Sequence, residues 1–131
     1  MSGNQYRKRG EDTEQEAVIA WANWNLHTYP ELKWLHHIPN GGKRGKLEAA
    51  RFKAQGVKAG VSDLFLPAAR ANWHGLYIEM KYGQNKPTDK QKEFMHDMRI
   101  QGYCCKVACG AQEAIAILQD YLDGNALCDV Y

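Results

Sequence analysis

The segment GLYIEMKY, residues 75–82, carries a carboxylate and an ammonium group two residues apart in a pattern typical of a β-strand. Its apolar side chains alternate with Tyr77, Glu79 and Lys81, which would share one face of the strand. A glutamate and a lysine at this spacing form either a surface ion pair, which contributes little to stability, or part of a catalytic site. The neighbouring segments distinguish these two interpretations.

Asp63 is the second acidic candidate, because it immediately precedes the apolar segment LFLP at residues 64–67. Successive strands with a short connection usually pair with each other, so Asp63 should lie near Glu79 and Lys81. Two adjacent carboxylates repel each other unless a proton or a cation lies between them. Oxygen ligands of this kind suit a hard divalent ion, and the three residues therefore predict a metal site.

The chain has 131 residues, of which 44% are hydrophobic and 24% charged, as is usual for one globular domain. We expect a flexible basic tail at residues 1–10, a single domain at residues 11–124 and a second tail at residues 125–131. No apolar run in the sequence is long enough to cross a membrane, so a cytoplasmic location is expected.

The predicted elements follow the order helix, strand, strand, strand, helix, strand, helix, with a short basic helix after the first strand. A strand–helix–strand unit that follows neighbouring strands indicates an α/β fold with a mixed β-sheet of about four strands flanked by helices. Residues 31–39 are predicted as the first strand, and Thr88 is predicted to cap the next long helix. Trp21, Trp24 and Trp34 are interpreted as core residues.

Three of the four cysteines lie in the apolar segment YCCKVACG, residues 103–110, which is predicted as the last strand. On a strand, Cys105 and Cys109 would be about 13 Å apart, too far to bind one tetrahedral zinc ion. No C-x-x-C motif is present. The cysteines are therefore interpreted as structural thiols in a reducing cytosol.

Residues 43–58 contain six basic side chains and a single acidic one. Such a run is either the solvated face of a helix or a surface that contacts phosphate groups. In the second interpretation the candidate nucleic-acid contacts are Asn40, Lys43, Arg44, Lys46, Arg51 and Lys53.

The series G-V-S-D, then fifteen residues, then E-x-K resembles the PD-(D/E)xK nuclease superfamily. With the PNGG loop and a glutamine downstream, residues 11–122 resemble more narrowly the virus-type replication-repair nuclease (VRR-NUC) domain in its short standalone form, typical of phages. Ser62 stands where the superfamily name carries proline, a difference that leaves the metal-binding chemistry intact.

The resemblance implies a restriction-endonuclease-like core and a Mg²⁺- or Mn²⁺-dependent DNA endonuclease, in the host cytoplasm if the gene belongs to a phage. It implies that Lys81 orients or helps to activate the attacking water, and that Gln91 contacts a phosphate or a metal-bound water. The metal ligands that it implies are Asp63, Glu79, the backbone carbonyl of Met80, and either Glu14 or Glu11 from the first helix, with Glu14 preferred. The alternative hypothesis is a DNA-binding module of the same fold without catalysis.

The last predicted helix carries a wide apolar stripe, formed by Ala114, Ile115, Ile117, Leu118, Tyr121 and Leu122. Part of such a stripe would stay exposed on a monomer. Standalone family members resemble small dimeric Holliday-junction resolvases, and symmetric cutting of a junction needs two sites related by a two-fold axis. We therefore expect a homodimer selective for branched DNA, with no organic cofactor and no membrane association. The alternative is a monomer in which the stripe fills the space between the sheet and the first helix.

Overall fold

The structure is a computed structural model that describes residues 11–39 and 45–128. Its elements in chain order are helix α1 (Glu11–Trp24), a 3-10 helix (Pro30–Trp34), strand β1 (His36–His37), helix α2 (Lys46–Ala54), strand β2 (Leu64–Leu66), strand β3 (Leu76–Lys81), helix α3 (Asp89–Ile100), strand β4 (Cys104–Cys109) and helix α4 (Ala111–Leu122).

The four strands form one sheet in the order β1-β2-β3-β4. Strand β2 is antiparallel to both β1 and β3, and β4 runs parallel to β3 after the chain has passed through α3. This arrangement confirms the predicted α/β fold with a mixed sheet. Leu64 pairs with Ile78, so Asp63, one residue earlier, falls opposite Glu79, one residue later.

The two faces of the sheet are covered differently. Leu76, Ile78 and Met80 point into the main core, where α1 and α4 contribute Val18 and Leu118. The other face carries an aromatic cluster in which Tyr77 contacts the rings of Phe65, Phe94 and Tyr103. Because side chains alternate along a strand, Glu79 and Lys81 lie on the same face as Tyr77, the face that α3 covers.

The strand predicted at residues 31–39 is wrong for most of its length. Pro30 begins a 3-10 helix, and the N–H of Leu35 closes that helix by donating to the carbonyl of Leu32. Proline favours the first turn of a helix because its fixed φ matches helical geometry and it has no N–H to satisfy. Only His36 and His37 remain as a strand.

Two of the three predicted core tryptophans are exposed. Trp24 is 81% exposed and Trp34 is 46% exposed. The buried stripe of α1 runs through Val18 and Ala22, and Trp24, two residues further on, points away from it. Trp21 is half-buried against the core, as predicted.

Cys104 was interpreted as a thiol, but it forms a disulfide with Cys128, whose Cα atom lies 5.7 Å from its own. Cysteine spacing did not predict this disulfide. The spacing was compared only within one strand, whereas Cys128 lies beyond α4. Cys105 and Cys109 are free thiols, the first buried and the second exposed.

The apolar stripe of α4 is covered within one chain. Four of its six side chains are buried, and Ile115 and Ile117 are half-buried, because α4 packs against both α1 and β4. The stripe therefore keeps only partial exposure, at Ile115 and Ile117. Within the described ranges, no helix combines the length and the apolar character that a membrane crossing requires.

Candidate active site

The structure brings together the three residues that the E-x-K spacing singled out. Asp63 stands at the start of β2, and its Oδ2 accepts a hydrogen bond of 2.8 Å from the backbone N–H of Met80 on β3. On the same strand, Lys81 Nζ lies 3.5 Å from Glu79 Oε2. Two neighbouring strands thus bring two carboxylates and one ammonium group together.

The backbone of Asp63 is fixed from the side of β1. Its carbonyl accepts hydrogen bonds of 2.8 Å from the N–H of Ile38 and from Nδ1 of His37. Because a carbonyl only accepts, His37 carries its proton on Nδ1 in this contact and leaves Nε2 on the exposed side of the ring. This contact places His37 beside the candidate site.

The loop before Asp63 requires glycine at position 60. Gly60 has a φ of +91°, and a Cβ atom there would approach the carbonyl oxygen of Lys90 to 2.8 Å. Only glycine combines this conformation with this approach at low cost. The contact holds the loop against the first turn of α3, and the loop continues through buried Ser62 to Asp63.

Glu79 and Lys81 are buried, although their strand has a polar pattern on this face. Glu79 is 1% exposed and Lys81 is 8% exposed. Burial, followed by the charge of Asp63 and a hydrogen bond with it, raises the pKa of Glu79 to about 8, although Lys81 acts to lower it. Without a cation, this environment therefore favours the neutral form of the Glu79 carboxyl group.

The donor set fits a hard divalent cation. Glu79 Oε1 is buried and has no hydrogen-bond partner within the described residues. Since the N–H and the C=O of one strand residue point the same way, the carbonyl of Met80 faces the side on which its N–H meets Asp63. Mg²⁺ typically takes one or two protein carboxylates and keeps several waters, a demand that Asp63 and Glu79 can meet.

The position of Glu14, the preferred third ligand, is set by a contact with the start of helix α4. In residues 11–39 and 45–128, no group of three or more His, Cys, Asp or Glu side chains is close enough to hold a metal ion. Oε1 of Glu14 instead accepts a hydrogen bond of 2.9 Å from the N–H of Ala111, the first residue of α4. The preceding N–H, of Gly110, donates to the carbonyl of Lys81 at 3.0 Å, so Glu14 lies near the end of β3.

Gln91 takes part in the start of α3. Its Oε1 accepts from the N–H of Thr88 at 2.8 Å, and its own N–H donates to Thr88 Oγ1 at 3.2 Å. These two bonds form a capping box and confirm the predicted cap at Thr88. The T-x-x-Q spacing of residues 88–91 is the sequence signature of this pairing.

The basic side chains of α2 are free to meet a polyanion. Lys46, Arg51 and Lys53 are exposed, and α2 contains no buried residue. Four candidate positions cannot be placed: Asn40, Lys43 and Arg44 lie outside the described residues, as does the side chain of Glu11.

Comparison with known proteins agrees with the fold and the motif. The family model for the VRR-NUC domain matches residues 7–112. A solved structure described as a VRR_NUC domain protein is 35% identical in sequence, with a TM-score of 0.71 over 92% of this chain and 93% of the other. No curated protein gives a significant match.

Proposed function

Because the chain belongs to the VRR-NUC domain family, a family of nuclease-type domains, we propose that it is a metal-dependent endonuclease that hydrolyses phosphodiester bonds in DNA. The observation that carries this proposal is the meeting of half-buried Asp63 with buried Glu79 beside Lys81, with one oxygen of Glu79 unpartnered in the described structure. The nuclease domain would comprise residues 11–124, and its setting would be phage replication, repair or recombination in the host cytoplasm.

Asp63, Glu79 and the carbonyl of Met80 would hold Mg²⁺ or Mn²⁺. When bound, such an ion lowers the pKa of water and polarises the phosphoryl oxygen. The N–H of Met80 fixes the orientation of the Asp63 carboxylate. Lys81 supplies a fixed positive charge in a site from which water is largely excluded, where it stabilises developing phosphate charge more strongly than it would in water.

The DNA would approach across the exposed basic side chains of α2. Lysine and arginine contacts to phosphate set affinity without reading sequence. Together with the three positions outside the described residues, Lys46, Arg51 and Lys53 would therefore determine binding strength and its salt dependence rather than chemistry.

The alternative of a DNA-binding module without catalysis has less support. A binding surface gains nothing from two adjacent carboxylates, which repel the phosphate backbone as well as each other. Glu79 and Lys81 are moreover buried, so they are poorly placed to contribute to a binding face.

Selectivity for branched DNA is part of the proposal. The test is cleavage of a labelled four-way junction and of a linear duplex with the same arm sequences, in Mg²⁺, Mn²⁺, Ca²⁺ or EDTA. We expect cleavage in Mg²⁺ and Mn²⁺, faster on the junction, and none in Ca²⁺ or EDTA, because calcium is larger and coordinates less rigidly. Equal cleavage with and without a divalent ion would contradict metal dependence. Equal rates on both DNAs would contradict the selectivity.

A further inference from the structure

The backbone of Asp63 lies where the hydrogen bonds of strand β1 come to an end. Strand β1 consists of His36 and His37, and in the described sheet it pairs with β2 alone. The N–H of Ile38 donates to the Asp63 carbonyl at 2.8 Å, and Pro39, the next residue, has no N–H. The residue that is proposed to hold the cation therefore receives the last backbone bond that β1 can offer.

The side chain of His37 adds a second bond to this carbonyl. Its Nδ1 lies 2.8 Å from the oxygen and donates to it, because a carbonyl oxygen only accepts. From the other side of β2, the N–H of Met80 on β3 donates to Oδ2 of Asp63 at 2.8 Å. The main chain of Asp63 is therefore held from β1, while its carboxylate is held from β3.

The neighbouring histidine makes a similar bond at a different place. Nδ1 of His36 lies 2.9 Å from the carbonyl of Trp34, a residue of the 3-10 helix that precedes β1. Its ring meets Phe65 edge-on, with 5.8 Å between the ring centres. His36 and His37 are both exposed, so they differ chiefly in the carbonyl group that each one holds.

We propose that His37 is a positioning residue of the candidate metal site: it holds the Asp63 carbonyl through Nδ1 and thereby orients the Asp63 carboxylate toward the cation. Groups that hydrogen-bond to metal-binding residues keep the ligands in the orientation that the ion requires, and their loss typically costs roughly 10- to 100-fold in metal affinity or activity. The inference rests on the proposed nuclease function and deepens it, since it names a residue that acts on the metal ligand rather than on the DNA.

The exposure of His37 separates this role from a general contribution to folding. A hydrogen bond at an exposed sheet edge contributes little to the stability of the whole protein, because water can replace either partner. Without the His37 ring, the N–H of Ile38 alone would hold the Asp63 carbonyl from β1. We therefore expect a substitution at this position to weaken the metal site while the fold is retained.

The test measures the affinity of the protein for Mn²⁺ by isothermal titration calorimetry, without DNA. His37→Leu removes the donor. His37→Asn keeps an N–H donor near the place of Nδ1, whereas the longer side chain of His37→Gln carries its amide to the place of Nε2. The matched control is His36→Leu, which removes the neighbouring exposed histidine and its bond to Trp34.

We expect His37→Leu and His37→Gln to bind Mn²⁺ about tenfold more weakly than wild type, and His37→Asn and the control to stay within about threefold. In junction cleavage, His37→Leu should need about tenfold more Mn²⁺ for half of its maximal rate. At saturating Mn²⁺ its rate should come within about threefold of wild type, because the Asp63 carboxylate itself is still present. The Tm in EDTA should change little in all four variants.

Equal Mn²⁺ affinity in wild type and His37→Leu, or an equal loss in the control, would overturn the proposal for His37. Rescue by glutamine in place of asparagine would also overturn it, because the role would then belong to Nε2. The comparison of these two amide variants decides the question even if His37→Leu fails to fold.

These outcomes are distinguishable from failure of the proposed function. A protein whose Mn²⁺ affinity follows the expected series but that cuts no DNA contradicts only the nuclease proposal. A protein that cuts DNA in Mn²⁺ while all His37 variants bind the ion normally contradicts only the positioning role. A wild-type protein that binds no Mn²⁺ contradicts both.

Discussion

At the residue scale, the buried Glu79 carboxyl group destabilises the metal-free fold, whereas in the metal-bound fold it would serve as a ligand. Its carboxyl group is 1% exposed beside a second carboxylate, and its pKa is raised to about 8. Functional sites commonly retain such unfavourable groups because ligand binding relieves them. A divalent cation would provide that relief here.

The raised pKa gives a pH dependence with a defined sign. The folded protein holds a proton on Glu79 over a range, from the ordinary value of 4.5 to about 8, in which the unfolded chain has lost it. Stability from this group is therefore fully present below pH 4.5 and is lost as pH rises through 8. We expect metal-free Glu79→Gln to match the wild-type Tm near pH 5 and to exceed it near pH 9.

Thermal unfolding in EDTA across this range provides the measurement, with Glu93→Gln, an exposed glutamate on α3, as the control. The control should follow the wild-type curve at every pH. A Glu79→Gln curve that runs parallel to wild type from pH 5 to pH 9 would contradict the assignment of a raised pKa to Glu79.

Binding of a divalent cation should offset the energetic cost of an ionised Glu79 in the folded protein. At pH 8, Mn²⁺ should raise the Tm of the wild-type protein, because a ligand that binds only the folded state stabilises it by mass action. Asp63→Asn and Glu79→Gln should lose most of that increase, since each replaces a charged oxygen ligand with a neutral one. Differential scanning fluorimetry with and without Mn²⁺ measures the effect. An equal Mn²⁺ shift in all three proteins would place the ion elsewhere.

The spacing of Asp63, Glu79 and Lys81 was sufficient to predict that they meet, because strand pairing converts the sequence interval into proximity. The burial of Glu79 was not predictable. The alternation of side chains along a strand indicates on which face a residue lies, but not which elements cover that face. The hydrogen bond from Ala111 to Glu14 was also beyond prediction, because it joins residues 97 positions apart.

At the element scale, the order of helices and strands followed from periodicity and from turn residues. The main error, at residues 31–39, arose because Pro30 initiates a 3-10 helix in a segment that also has strand-like character. Trp24 was misplaced because an aromatic residue near a buried stripe looks the same in sequence whether it faces in or out. In both segments, tertiary packing rather than the local sequence pattern determines the structure.

The start of α3 offers a test of the role of Gln91. Thr88→Ala and Gln91→Ala each remove one half of the capping box, so we expect similar stability losses of about 1 kcal/mol. If Gln91 also contacts a phosphate or a metal-bound water, as the family resemblance implies, Gln91→Ala alone should slow cleavage. Urea unfolding and cleavage rates are measured on both variants. Equal cleavage rates in the two variants would show that Gln91 acts only in the helix cap.

At the scale of the whole molecule, the apolar stripe of α4 packs mostly within the chain, so a dimer would have to form through another surface. Symmetric cutting of a junction still requires two sites, so we expect a homodimer in solution or on the junction. Multi-angle light scattering at micromolar protein, alone and with an uncut four-way junction in Ca²⁺, measures the stoichiometry. One chain per junction would exclude the dimer and leave single-strand cleavage intact.

The central claim is that the Asp63–Glu79–Lys81 cluster carries out metal-dependent hydrolysis of DNA. The most direct test compares the rate of Mn²⁺-supported junction cleavage by wild type and by Glu79→Gln, at saturating protein and with both shown to be folded. We predict a loss of at least about a hundredfold, because an oxygen ligand and its charge are removed while shape is preserved. A Glu79→Gln rate within about threefold of wild type, together with unchanged metal dependence, would contradict the account.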